Sequence, residues 1–184
     1  MVKVSFIIIA YNAESHLNDL LSDVNQQTFP HDKVEIILVD SCSSDGTKKL
    51  FQEFADNNDF YDCKVLSNLK KVLPAGWNVA LDNADGEIIV RVDAHARIPD
   101  DFIEANVRNI DSGEDIVGGQ RITIFDNTTR WKGALAAAES SAFGSGIAVY
   151  RRKFERGYTK TLAHAAYKKS VFDTVGRYNE ALKR

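Results

Sequence analysis

Three short groups of residues in this sequence carry side chains able to do chemistry, and each closes an apolar run. Asp93 and His95 stand one alanine apart at the end of Ile88-Ile-Val-Arg-Val-Asp. In an extended backbone, side chains at i and i+2 point to the same face, so a carboxylate and an imidazole could converge there on one divalent ion. Oxygen ligands alone favour Mg²⁺, and an imidazole in the shell moves the preference towards Mn²⁺ or another softer ion. The same two residues also suit a turn-capping carboxylate beside a surface histidine. Tyr11-Asn12 follows Val4-Ser-Phe-Ile-Ile-Ile-Ala10, and Asp40 ends Val34-Glu-Ile-Ile-Leu-Val-Asp. Tyr11 can stack on a base or ribose, and Asp40 can accept hydrogen bonds from a pyrimidine N–H or a ribose hydroxyl. A core aromatic and a helix cap are the plainer uses of those two residues.

Taken together, the three groups describe a nucleotide whose phosphates are clamped by a metal ion. Such a clamp stabilises charge as a diphosphate departs. Transfer to a nucleophile would also need a carboxylate or histidine base on the far side. The glycine fingerprint of a dinucleotide site and the Gly-Lys-Ser/Thr of a phosphate loop are both absent after the first apolar run. A nucleotidyltransferase would want a glycine-rich loop with a basic residue where Tyr11-Asn12 stands, and a receiver domain would not need the second half of the chain.

The elements that must position these residues alternate in type. Val4–Ala10 and Val34–Asp40 are nearly continuous β-branched runs, as expected of strands covered on both faces. Between them Leu17, Leu20, Leu21 and Val24 recur at helical spacing, and the pattern ends near Thr28-Phe29-Pro30. Ser41 to Thr47 reads as a turn whose Ser and Asp side chains cap a helix over 47–57. A weaker strand is expected at 64–67. Pro74 suits the first turn of a helix carrying 75–84, and Asp85-Gly86 turns the chain into the strand over 88–93. Phe102, Ile103, Val107 and Ile110 predict another helix, followed by a short strand at Ile116-Val117. Further on, the spacing predicts a strand over 121–125, a helix over 130–139, a loop over 140–157 and a final helix over 168–175 that stops at Gly176.

Strands alternating with helices predict an α/β fold with an open, mostly parallel sheet. Right-handed crossovers then bring all strand carboxyl ends to one edge, where ligands of such sheets bind. Tyr11-Asn12, Asp40 and Asp93/His95 all fall there.

With 184 residues and 44% hydrophobic content, one well-cored domain is expected. Residues 1–129 hold 11 Lys/Arg against 22 Asp/Glu, a balance of −11, while residues 130–184 hold 12 against 4, a balance of +8. The basic final third could face a phosphate, a diphosphate-lipid or a membrane surface, or be a solvated face. The two cysteines, Cys42 and Cys63, imply no disulfide framework and a reducing compartment. No stretch approaches the roughly 20 apolar residues of a membrane span.

The order Ile-Ala-Tyr-Asn-Ala-Glu (9–14), Val-Asp-Ser-Cys-Ser-Ser-Asp-Gly-Thr (39–47), Asn78 to Asp85-Gly86-Glu87, and Val-Asp-Ala-His-Ala-Arg (92–97) resembles family 2 glycosyltransferases over essentially the whole chain. The Asp-Ala-His-Ala-Arg variant, Phe143-Gly-Ser-Gly146 and Val175-Gly-Arg-Tyr-Asn-Glu-Ala-Leu182 look most like the succinoglycan-type exopolysaccharide transferases. The resemblance implies a GT-A nucleotide-diphospho-sugar transferase fold, with residues 1–98 as the nucleotide-binding half of a single catalytic domain and 99–184 as its acceptor-side half. It implies an inverting transfer of a hexose from a UDP-sugar donor to a glycan or lipid-linked sugar acceptor, with no nucleic-acid partner. Ala10, Tyr11, Asn12, Glu14, Asp40, Ser41, Asn78, Asp93 and Ala94 would form the nucleotide site. Asp93 and His95 would hold the metal, His95 standing where the family commonly has Asp. Gly144, Gly146, Arg151 and Arg152 would face the acceptor. The family's base usually follows the segment matched by Gly176–Leu182, so it is expected beyond Arg184. The domain is then expected to be incomplete at its C-terminus, and the full-length protein to work at the cytoplasmic face of a membrane. A non-catalytic nucleotide-sugar-binding module is the alternative.

Overall fold

The computed structural model of the chain describes residues 1–121, 129–141, 157–160, 162 and 164–182. They fall into two compact units, Met1–Ile116 with Ala166–Arg184 and Val117–Ala165. The first unit carries the strands β1 (Val4–Ala10), β2 (Val34–Asp40), β3 (Asp62–Ser67) and β4 (Ile88–Asp93). The helices α1 (Glu14–Asn25), α2 (Thr47–Asp56), α3 (Leu73–Asp82) and α4 (Phe102–Asp111) alternate with these strands. A six-residue helix α6 (Ser170–Val175) completes it, α5 (Arg130–Ser140) belongs to the second unit, and the short strands β5 (Ile116–Val117) and β6 (Ala165–Lys168) fall where the chain passes from one unit to the other.

The sheet runs β3-β2-β1-β4-β6-β5, with β1 parallel to β2 and β4, and β2 parallel to β3. This is the α/β, mostly parallel sheet that the alternation predicts. Every residue of β1 and β2 is buried, because helices cover both faces, and this is why those strands read as unbroken apolar runs. One face of the core packs Ile7, Ile9, Ile37, Val39 and Ile89 against Trp77, Ala80 and Leu81 of α3. Pro74 sits in the first turn of α3, and Gly176 ends α6 at φ +82. Both cysteines are free thiols.

The C-terminal region departs from the sequence expectation. Lys168 is the last residue of β6, and the helix begins only at Ser170. Ala-Ala-Tyr-Lys has little intrinsic strand preference, but Ala165 and Ala166 are completely buried, and the Lys168 and Lys169 N–H groups donate to the carbonyls of Asp115 (2.9 Å) and Glu87 (2.8 Å). Long-range pairing overrides local propensity here. The strand expected over 121–125 and nearly all of the loop over 140–157 lie outside the described residues. Among the described residues no helix is long and apolar enough to cross a membrane.

Candidate functional site

Parallel pairing brings the carboxyl ends of β1 to β4 to one edge, and register sets the level of each end. Ala10 pairs with Asp40 and Asp40 with Ser67, while Asp93 pairs with Ile9, one residue short of that level. The expected convergence of Ala10, Asp40 and Asp93 is therefore a consequence of how the strands align.

The loops leaving β1 and β2 are laced together. Ser41 N–H donates to Ala10 O at 2.9 Å and Asn12 N–H to Ser43 Oγ at 2.9 Å, while Asn12 Oδ1 accepts from Ser44 N–H at 2.9 Å. Ala13 N–H donates to Thr47 Oγ1 at 2.8 Å, Glu14 N–H donates to Asp45, and Glu14 Oε2 accepts from Gly46 N–H at 2.8 Å. Asn12 and Cys42 hold left-handed backbone, at φ +48 and +59, a conformation Asn tolerates better than most residues. The N-cap of α2 is Gly46, which has no side chain to cap with, and of the Ser and Asp side chains expected to cap the helix it is Asp45, one residue earlier, that accepts from Thr47 N–H at 3.1 Å. The bond with the Thr47 side chain holds its carboxyl below the usual carboxylate range.

These bonds leave Tyr11, 61% exposed, standing beside Asp40, only 3% exposed. The Asp40 carboxylate accepts from Ser43 N–H at 3.1 and 3.3 Å. Each carboxylate oxygen has further lone-pair capacity for a ligand donor. Behind them Asn68, fully interior, joins the third loop: its N–H donates to Asp40 O at 2.8 Å, and its Nδ2 donates to Ser41 Oγ and Val72 O, both at 3.0 Å. Asn68 was not among the residues expected from sequence. The available signal was a lone amide directly after β3, at the edge where the other strand-end groups gather.

At Asp93 the local geometry differs from the sequence argument. Ala96 N–H donates to Asp93 O at 3.0 Å, closing a turn over Asp93–Ala96, so the extended-backbone reason for Asp93 and His95 sharing a face does not apply. Asp93 is half-buried, Ala94 is buried and His95 is exposed. Among the described residues no group of three or more His, Cys, Asp or Glu side chains is gathered for a metal. An ion bound here would have Asp93 and His95 as its protein ligands and would take the rest from phosphate and water, the imidazole favouring Mn²⁺ over Mg²⁺.

Asn78 is committed elsewhere. Its Nδ2 donates to Tyr178 O and Glu180 Oε1, each at 3.0 Å, and its Oδ1 accepts from Tyr178 N–H at 2.9 Å, tying α3 to the segment after α6. Below Asp93 on β4, Arg91 lies over the Trp77 ring at 5.1 Å. Near it the Tyr167 phenol is pushed up to about 12 by burial. Gly144, Gly146, Arg151 and Arg152 lie outside the described residues. Glu180 is bonded to Lys70 and Asn78, and Asp173 is an exposed residue of α6.

Comparison with known proteins bears on the family and the fold of this chain. The family model described as glycosyl transferase family 2 matches residues 5–176. Succinoglycan biosynthesis protein ExoA of Rhizobium meliloti (strain 1021) is 28% identical over 180 residues, 95% of this chain and 52% of that protein. The structure of S. aureus TarS 1-349 in complex with UDP superimposes with a TM-score of 0.75 at 21% identity, covering 99% of this chain and 52% of that one. Mannosyltransferase PcManGT from Pyrobaculum calidifontis, in complex with GDP-Man and Mn²⁺, gives a TM-score of 0.73 at 22% identity, covering 98% and 48%. The two structures share the GT-A fold with this chain. The chain spans about half or less of the length of the curated relatives it matches.

Proposed function

The chain belongs to glycosyl transferase family 2, and from that premise we propose that it transfers a hexose from a UDP-sugar to a glycan or lipid-linked acceptor in cell-surface polysaccharide synthesis, inverting the anomeric centre. The observation that carries the reading is the exposed Tyr11 beside the buried Asp40 at the carboxyl edge, with Asp93 one register step away. UDP in the TarS structure supports a uridine ligand, and ExoA supports an exopolysaccharide product.

In this reading Tyr11 stacks on the uracil or ribose, while Asp40 accepts from the base N–H. Asn12, Glu14 and Ser41 keep the loops around them in place. Asp93 and His95 would hold a divalent ion, Mn²⁺ or Mg²⁺, which when bound supplies Lewis-acid stabilisation of the departing diphosphate. The two-ligand set and the Mn²⁺ in the PcManGT structure support that assignment. Among the described residues Glu180 is not assigned as the base, since it is already held by Lys70 and Asn78. The whole protein is placed at the cytoplasmic face of the membrane, where a lipid-linked acceptor would be met.

Calorimetric titration with UDP and Mn²⁺ tests the site. Binding is expected, weakened at least tenfold, about 1.4 kcal/mol, by Asp40→Ala and by His95→Ala. Absence of heat with every nucleoside diphosphate would overturn the assignment. UDP release in the presence of acceptor separates the transferase from a module that only binds nucleotide-sugar.

A further inference from the structure

Asp23 is an acidic residue on the buried side of α1. Its neighbours Leu20, Leu21 and Val24 are all buried, and it is itself 6% exposed. A carboxylate in such surroundings is costly to desolvate unless it is paired and hydrogen-bonded. All its side-chain partners come from the segment that follows the Asp93–Ala96 turn. Arg97 donates from Nε and Nη2 to the two Asp23 oxygens at 2.7 Å each, a two-pronged charge-assisted contact, and Ile98 N–H donates to Oδ2 at 3.1 Å.

The next turn of the chain continues the attachment. The Gln27 side chain donates to Pro99 O at 2.8 Å and accepts from Ile103 N–H at 2.9 Å, and Thr28 N–H donates to Asp100 O at 2.9 Å. Residues 97–103 are thus fastened at successive points to α1 and the residues just after it. At its other end the same helix begins with Glu14, which is bonded to Asp45 and Gly46. One rigid rod therefore runs from the nucleoside loops to the segment that starts two residues after His95. Within the turn itself the Ala96 N–H donates to the Asp93 carbonyl.

We propose that Asp23 is a positioning residue for the metal-diphosphate turn. By gripping Arg97 and Ile98 it fixes the relation of Asp93 to His95, and it draws the Arg97 guanidinium, also 3.8 Å from Asp19, onto α1 and away from the anionic ligand. The inference rests on the reading of Asp93 and His95 as ligands of the metal on the diphosphate. A side chain 74 residues before Arg97 in the sequence then controls the metal-linked part of nucleotide affinity.

The test is titration of this chain with UDP, with and without Mn²⁺, in the wild type, Asp23→Asn and Arg97→Lys. Asn keeps the size and one acceptor oxygen, whereas Lys keeps the charge and loses the fork. Metal-free UDP affinity is expected to stay within about twofold, while the enhancement by Mn²⁺ falls about tenfold or more, the usual effect of removing a residue that orients metal ligands. Variants that lose thermal stability yet keep the full Mn²⁺ enhancement would show that the clamp only holds the fold and overturn the proposal. An equal loss of affinity with and without Mn²⁺ would overturn it as well. If Asp23→Asn does not fold, Arg97→Lys, at a side chain 54% exposed, carries the test alone. A wild type that binds UDP with no Mn²⁺ enhancement overturns the metal reading itself, before any variant is compared.

Discussion

Asn12 and Ser43, 31 residues apart, hold the loops after β1 and β2 to one another: the Asn12 N–H donates to Ser43 Oγ at 2.9 Å. The Asn12 side chain completes the tie by accepting from Ser44 N–H at 2.9 Å. Asn12 does this from a left-handed backbone, at φ +48, which a residue with an ordinary Cβ occupies at a cost.

Two substitutions at Asn12 separate these contributions. Asn12→Gly loses the side-chain bond but keeps the backbone easy, and is expected to cost about 1 kcal/mol of stability. Asn12→Ala loses the bond and adds the left-handed penalty, for a total of about 2 kcal/mol. Urea unfolding reads the difference, and UDP titration is expected to show weaker binding in both variants. Equal stability of the two would show that the left-handed conformation stores no strain.

Gly86 precedes β4, and a Cβ there would lie 2.5 Å from Ser5 N and 2.7 Å from Val4 C, both backbone atoms. Its N–H donates to Ser5 Oγ at 2.9 Å and Glu35 Oε1 at 3.1 Å, at the strand edge opposite the site. Glu35, 1% exposed, is paired there with Lys64 at 2.7 Å. Burial alone would lower the Lys64 pKa, but the Asp85 and Glu35 carboxylates raise it, so Lys64 keeps its charge. Gly86→Ala is expected to destabilise the chain by about 2 kcal/mol, measured by urea unfolding at pH 7. A loss below about 0.5 kcal/mol, within the range of ordinary surface changes, would mean the β1–β4 edge can open to admit the methyl group.

Glu180 ties the segment after α6 to α3, and its carboxyl is held below the ordinary value of 4.5 by hydrogen bonds from Lys70 and Asn78. A depressed folded pKa contributes stability that is present above the unfolded value and is lost as pH falls through the folded one. The difference in urea midpoint between wild type and Glu180→Gln is therefore expected to be full at pH 7 and to shrink as the pH drops below 4.5. A difference that stays constant down to pH 3 would show that the charge of Glu180 contributes nothing.

The sequence by itself determined the central strands and the edge where chemistry gathers. Val4–Ala10, Val34–Asp40 and Ile88–Asp93 are β-branched runs that only a sheet covered on both faces can bury, and parallel alternation sends Tyr11, Asp40 and Asp93 to one side. Local periodicity reports burial within a few residues, and that was sufficient for these elements. Tertiary structure decided what depends on partners far along the chain. Ala165–Lys168 is a strand because neighbouring backbone needed hydrogen bonds, against the propensity of alanine. The commitment of Asn78 to Tyr178, 100 residues away, and the fork between Asp23 and Arg97 are both pairings of polar groups. Such pairings follow no spacing rule. Each forms because burial strips water from a donor or acceptor, and only the folded chain determines which partner stands within reach to replace it.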